Sequence, residues 1–202
     1  AIFRQRRDDR RARQVYQNVE EMLEVEDAGV LISARLRLAD GFLEIGESEK
    51  AREHAMSVHD LSLELNEHQL HARSRVILGR YYAKTKDSEL SLLHYNAALE
   101  TFSEEANPTN AVETEMLLGQ VLVDVGRTSE ASEHYLDALS IAEANDFRLL
   151  QAEILARLGT IRGDRSERVA YLQRSLSVFK DLGAHTRMKE IQNSVHRALM
   201  GR

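Results

Sequence analysis

The 202-residue chain has no cysteine, no tryptophan and a single proline. Without cysteine there can be no disulfide framework, no thiol catalysis and no thiolate zinc site. No apolar run approaches the ~18 residues that a membrane helix needs, and no signal-peptide pattern is visible. Aromatic residues make up 5% and charged residues 30%. A proline-poor, charge-rich chain dominated by Ala, Leu, Glu and Arg reads as all-helical. Its apolar content of 43%, regularly spaced, is too high for a disordered chain. A net charge of −6, from 33 acidic and 27 basic residues, argues against nucleic acid as the main partner. The local exception is RQRRDDRRAR at 4–13, with six arginines and two aspartates. It reads as a solvated helix face, or a contact to an upstream segment, rather than a nucleic-acid or lipid patch. The chain starts at Ala1 in mid-pattern, so it is expected to be a piece of a longer protein.

What is abundant is repetition. Leu38-Ala39, Leu78-Gly79, Leu118-Gly119 and Leu158-Gly159 recur every 40 residues. Three positions after the small residue stand Phe42, Tyr82, Leu122 and Arg162. A turn signal follows (Gly46, then Lys86-Asp87, then Gly126), and after it Ala51, Ser91 and Ala131. Ala55, Tyr95 and Tyr135, then Val58, Ala98 and Ala138, complete the column set. Within ETEMLLGQVLVDVG, 113–126, apolar residues recur at helical spacing. Gly126 is placed to end that helix, and Thr128 or Ser129 to cap the next. Each unit is therefore a helix–turn–helix hairpin. The small residues let paired helices approach, and Tyr95 and Tyr135 are expected to fill the space between hairpins.

These columns resemble the tetratricopeptide repeat. The third unit carries Leu118, Gly119, Leu122, Gly126, Ala131, Tyr135 and Ala138 at the family's positions. The second puts Ser91 where alanine is usual, and the first puts Ala55 where an aromatic is usual. The period of 40 exceeds the family's ~34, and is similar to the longer-helix variety found in bacterial regulators and animal polarity and motor scaffolds. The resemblance implies an all-α, right-handed α-solenoid of antiparallel helix hairpins, a single array over 1–202. Its expected parts are the second helix of a truncated repeat (1–27), repeats at 28–66, 67–106 and 107–146, a shortened repeat at 147–183 and a capping helix at 184–202. Met188, Ile191, Val195 and Leu199 are expected to form the apolar face of that cap.

No catalytic constellation is present: there is no phosphate-binding glycine loop, nucleophile elbow or His-Glu-x-x-His pair. No metal site and no cofactor are expected, and His68 and His71, three apart, read as a polar helix start. His54, His94 and His134 stand at the same 40-residue interval. With Val15 and Tyr171 at the matching positions, the column reads as a half-buried packing position. A pH-sensitive stack is the lesser alternative.

The resemblance implies a concave groove lined by the first helix of each hairpin, where partner peptides lie. Carried over, the inward polar positions are Ser33, Arg37, Asp40 and Glu44; Arg73, Arg80 and Lys84; Glu113, Gln120 and Asp124; and Arg157 and Thr160. Of these, Arg37, Asp40, Arg73, Arg80, Lys84, Gln120, Asp124 and Arg157 are the candidate binding residues. Arginine and lysine there suit a carboxylate or an acidic segment. The family's carboxylate-gripping asparagine position holds Asp40, Arg80 and Gln120, a departure from that motif. The expected function is a non-enzymatic, cytoplasmic protein- or peptide-binding module, a scaffold or regulatory arm of a larger signalling protein. The alternative is a peptide-sensing regulator of the bacterial quorum-sensing type. A homodimer through exposed terminal helices is also expected.

Overall fold

A 17-residue helix followed by a three-residue turn sets the rhythm of the central part of the chain. The computed structural model describes residues 2–21, 28–161 and 163–200, and the side chains of these apart from 2–9, 21 and 28. Arg162 and most of the arginine run at 4–13 therefore lie outside the described side chains; Arg13 of that run pairs with Glu47 at 2.8 Å. The helices are α1 (Ile2–Glu21), α2 (Ala28–Glu44), α3 (Ser48–Glu64), α4 (His68–Lys84), α5 (Ser88–Glu104), α6 (Pro108–Asp124), α7 (Thr128–Ala144), α8 (Arg148–Leu158), α9 (Arg165–Asp181) and α10 (His185–Leu199). Among the described residues all regular structure is helical, and within each of the chain's two compact units consecutive helices pack on one another, as in helix hairpins of the α-solenoid class.

The turns repeat as strictly as the helices. Positive φ occurs at Gly46, Asn66, Lys86, Ala106, Gly126, Asp146 and Gly183. Glycine adopts this conformation without strain and Asn or Asp tolerate it, whereas Lys86 and Ala106 cost about 1–2 kcal/mol each. The following residue closes the helix end: Glu47 N–H donates to Phe42 O at 2.8 Å, Asp87 to Tyr82 O at 2.9 Å and Arg127 to Leu122 O at 2.8 Å. These are the long bonds of the Schellman motif, and they hold non-glycine residues in the left-handed region. Caps at the helix starts are less uniform. Asp87 accepts from Leu90 N–H and Asn107 from Asn110 N–H, with Pro108 opening α6. For α7 the N-cap is Arg127, without a side-chain cap bond. Thr128, expected as a cap, is already the first helical residue.

The small residues do their work inside each hairpin. A Cβ on Gly79 would lie 2.5 Å from the Tyr95 ring, and one on Gly119 2.6 Å from the Tyr135 ring. The two tyrosines thus fill the hairpin's own interior rather than the space between hairpins. Ser91 departs from alanine because its buried hydroxyl donates to Gly79 O at 2.8 Å, tying α5 to α4. In the first hairpin Ala39 faces the slot with Ala55, and Tyr16 of α1 packs on Gly41 and edge-on to Phe42, 5.7 Å away.

The chain divides into two compact units, Ala1–Glu105 and Ala106–Arg202. The first unit is built around Ile32, Leu36, Phe42, Leu43, Val58 and Ile77. In the second, α10 covers α9 and α8 through Ile191 and Ala198 against Ala152, Leu172 and Phe179, with Met188 and Val195 partly buried. Leu199, expected on that apolar face, is 46% exposed; Ala198 takes its place. The shortened repeat loses its residues from its first helix: α8 has 11 residues, while α9 keeps 17. The bend between them, 159–164, is correspondingly longer.

Candidate binding site on the first helices

In the first unit, α2 and α4 lie side by side and present their polar residues on one face. Arg80 Nη1 donates to Asp40 Oδ1 at 2.6 Å. Burial pushes the Asp40 carboxyl above its ordinary range, and the Arg80 and Arg73 cations only partly offset this. Lys84 Nζ donates to the Leu43 carbonyl at the end of α2. Both cations are therefore engaged in joining α4 to α2. Arg37 and Arg73 are exposed, as are Ser33 and Glu44. Ser33 and Arg37 line, with Gly29, Val30 and Ala34, an open depression of ≈ 520 Å³ on α2.

The second unit has its own polar row. Arg157 Nη1 on α8 donates to Gln120 Oε1 on α6 at 2.6 Å, and Gln120 Nε2 donates to Asp124 Oδ1 at 3.0 Å. The Arg157 guanidinium also lies 5.9 Å from the centroid of the Tyr135 ring, within cation–π range. Asp124, Glu113 and Thr160 are exposed. The eight candidate residues thus fall into two clusters: Arg37, Asp40, Arg73, Arg80 and Lys84 in one unit, and Gln120, Asp124 and Arg157 in the other.

The histidine column is a packing position with a repeat-specific charge environment. The His54 ring stacks on Phe42 (centroids 5.5 Å apart, planes at 4°), and His94 stacks on Tyr82 (5.3 Å, 11°). In the third repeat Leu122 replaces the aromatic, and His134 Nδ1 instead meets Glu115 Oε2 at 2.6 Å. The register explains the difference. Nineteen residues before each histidine stand Arg35, Arg75 and Glu115. Burial, then the Arg75 charge, lowers the pKa of His94. Burial also lowers that of His54, with Arg35 adding to it and Glu20 opposing it. The hydrogen bond to Glu115 raises that of His134 against the cost of burial. Glu115 was not among the candidate residues, although an acid alternating with two arginines in one column was legible.

Opposite shifts give opposite pH responses. His94, with a lowered pKa, contributes stability that is full above the unfolded value of about 6.5 and is lost as pH falls through its folded pKa. His134, with a raised pKa, contributes stability that is full below about 6.5 and is lost as pH rises through its folded pKa. In an NMR titration of the intact chain, His94 should titrate below 6.5 and His134 above it. Coincident midpoints would contradict the assigned environments.

Among the described residues, no group of three or more His, Asp or Glu converges in metal-binding geometry. Among the described residues, no helix is long and apolar enough to cross a membrane.

The tetratricopeptide repeat family model matches residues 116–145, which run from α6 into α7. Comparison with curated protein sequences gives no match. Among solved structures, a Signal Transduction ATPase with Numerous Domains with a tetratricopeptide repeat sensor, from Pyrococcus horikoshii, superposes with a TM-score of 0.79 at 15% identity, over 92% of this chain and 30% of its own. Aspartyl phosphate phosphatase F from Bacillus subtilis superposes with a TM-score of 0.77 at 14% identity, over 88% of this chain and 47% of its own. The Rap conjugation gene regulator of plasmid pLS20, in complex with the Phr* peptide, gives 0.61 at 15% identity, over 84% and 52%. The chain thus spans from under a third to about half the length of these proteins, and the likeness is one of fold. A tetratricopeptide repeat is thus matched in the third hairpin, the second carries the same pairing of a small residue with a tyrosine, and the chain shares the helical-repeat fold of these structures.

Proposed function

We propose that the chain is a protein- or peptide-binding module, the regulatory arm of a larger cytoplasmic signalling protein, and that its ligand lies on the first-helix face of α2 and α4. The observation that carries this reading is the charge arrangement there. Four cations, Arg37, Arg73, Arg80 and Lys84, share the face with Asp40 and Glu44. Arg80 and Lys84 are held by Asp40 and the Leu43 carbonyl, which leaves exposed Arg37 and Arg73 as the groups suited to an acidic segment. The depression beside Arg37 offers a place for one side chain of such a ligand. A second reading, a peptide-sensing regulator, is favoured by the fold shared with a regulator bound to its Phr* peptide. Self-association belongs to the proposal on the α1 side, where Val15 and Val19 are exposed.

The test uses Arg37→Glu/Arg73→Glu in the intact chain, with partners captured by the wild type as probes. Charge reversal at Arg80 or Lys84 is uninformative by comparison, because it also disturbs the packing of α4 on α2. The double variant should bind the captured partners at least about tenfold more weakly, with a reduced dependence on salt. Undiminished binding of every partner would place the site elsewhere.

A further inference from the structure

We infer that the joint between α3 and α4, which links the first hairpin to the second, is a proton-sensitive latch controlled by the neutral imidazole of His71. The argument starts from donors and acceptors. Arg75 Nε donates to His71 Nε2 at 3.0 Å. A guanidinium has no acceptor, so Nε2 must carry the lone pair and the ring proton must sit on Nδ1. Nδ1 lies 3.3 Å from the His59 carbonyl oxygen on α3, which it can then reach as a donor, and 3.4 Å from Ser62 Oγ. The same His59 carbonyl accepts from Ser62 Oγ at 3.0 Å, and Ser62 is buried. One tautomer of one neutral ring thus bridges a cation on α4 to a carbonyl on α3.

The surroundings disfavour a second proton. The His59 ring lies over His71 with centroids 4.1 Å apart and planes at 36°. The charges acting on His71 are His59 from α3 and His68 and Arg75 from α4, and each opposes a second proton, while the hydrogen bond to the His59 carbonyl favours it. His59 in turn faces Asp60 on its own helix, Arg75, and His94 on α5. Asp60 raises the pKa of His59 against burial and the Arg75 charge. On α2, Asp40 is bonded to Arg80 and feels the charges of Arg73 and Glu44. Burial, then these cations, holds His71 below the ordinary histidine range. When a proton does arrive at Nε2, the bond from Arg75 is lost and the charged ring stands against the His59 ring of α3, which titrates in the same acidic range, so two imidazolium cations come to face each other across the joint. Repulsion between the two charged rings, one on α3 and one on α4, then opens the contact between the two hairpins.

The test is made on the intact chain in two steps. At pH 7.5, nitrogen-15 NMR should find His71 as the Nδ1–H tautomer. Between pH 7.5 and 5.0, hydrogen-exchange protection in the last turns of α3 and the first turns of α4 should fall about tenfold or more, while α9 does not follow. His71→Asn places an amide N–H where Nδ1 stood and cannot titrate, so it should abolish the fall. Arg75→Gln keeps a donor to Nε2 but removes the charge, so it should move the His71 midpoint up towards 6.5. An Nε2–H tautomer at pH 7.5 overturns the inference, as does a fall that persists in His71→Asn or a midpoint unmoved in Arg75→Gln. The tautomer is read in the wild type, so the inference stays testable even if a variant fails to fold.

Discussion

Gly119→Val should lower stability by about 2–3 kcal/mol, near the upper end for overpacking, although glycine to valine in a helix is ordinarily slightly favourable. The reason lies in one ring. A Cβ at position 119 would stand 2.6 Å from Tyr135 Cε1, 2.8 Å from Cζ and 2.9 Å from Cδ1. Three atoms of a rigid aromatic ring cannot yield separately, and Tyr135 is 1% exposed with no open space to turn into. The shift in urea midpoint at unchanged slope measures the loss. The first hairpin shows how the conflict is relieved, since Ala39 and Ala55 occupy the same two positions there and are both fully buried. A cycle of Gly119→Ala, Tyr135→Ala and the double variant should therefore be strongly non-additive. Tyr135→Ala alone opens a cavity and costs about 3–5 kcal/mol. The added methyl at 119 should be harmful with the tyrosine present and neutral or favourable without it, giving a coupling of about 1–3 kcal/mol. Additivity to within about 0.5 kcal/mol would mean that the slot is not shared.

That slot also shows what the sequence makes legible. A leucine followed by a small residue at a fixed 40-residue interval locates the hairpins, because a close helix approach demands the small residue wherever it occurs. Turns at Gly46 and Gly126 were legible for the same reason: the left-handed backbone favours glycine. The equivalent turns at Asn66, Ala106 and Asp146 follow only from the repeat register, whose units end at 66, 106 and 146. The turn residue itself carries little signal there; at Asn66 and Asp146 the helix end is closed by Glu67 N–H to Ser62 O and Phe147 N–H to Ala142 O. The candidate binding face was legible as a row of polar first-helix positions. Its internal pairing was not, because Arg80 reaches Asp40 across a whole repeat and single-residue reading treats both as free. The histidines divide in the same way. Their common address follows from the period, while the differing charge states depend on the residue nineteen positions earlier. His71 was hidden more thoroughly, since its partner His59 is on another hairpin and shares no repeat column with it.

The variant that separates packing from charge in that column is His134→Leu. Glu115 is buried, 7% exposed, and forms an ion pair with His134 at 2.6 Å. Removing the imidazole leaves a carboxylate inside the second unit without its cation. Breaking a fully buried pair costs about 3–5 kcal/mol, and the 28% exposure of the His134 side chain reduces this, so about 2–3 kcal/mol is expected near pH 6. The pH dependence is opposite to that of His94. The raised pKa of His134 makes the pair's contribution full below about 6.5 and lost as pH rises through the folded value. The difference between wild type and His134→Leu should therefore shrink towards pH 8.5. It should not vanish, because the neutral imidazole still donates Nδ1–H to the carboxylate. The register itself suggests the compensating change: Leu155 occupies the position of Glu115 in the next repeat and is buried there. Glu115→Leu/His134→Leu should recover most of the loss and flatten the pH dependence, since replacing both members of a buried pair by apolar groups removes the stranded charge. If His134→Leu alone is as stable as the wild type at pH 6, the pair behaves as an exposed ion pair, worth less than about 1 kcal/mol. The burial of Glu115 would then be sustained by its other contacts on α6.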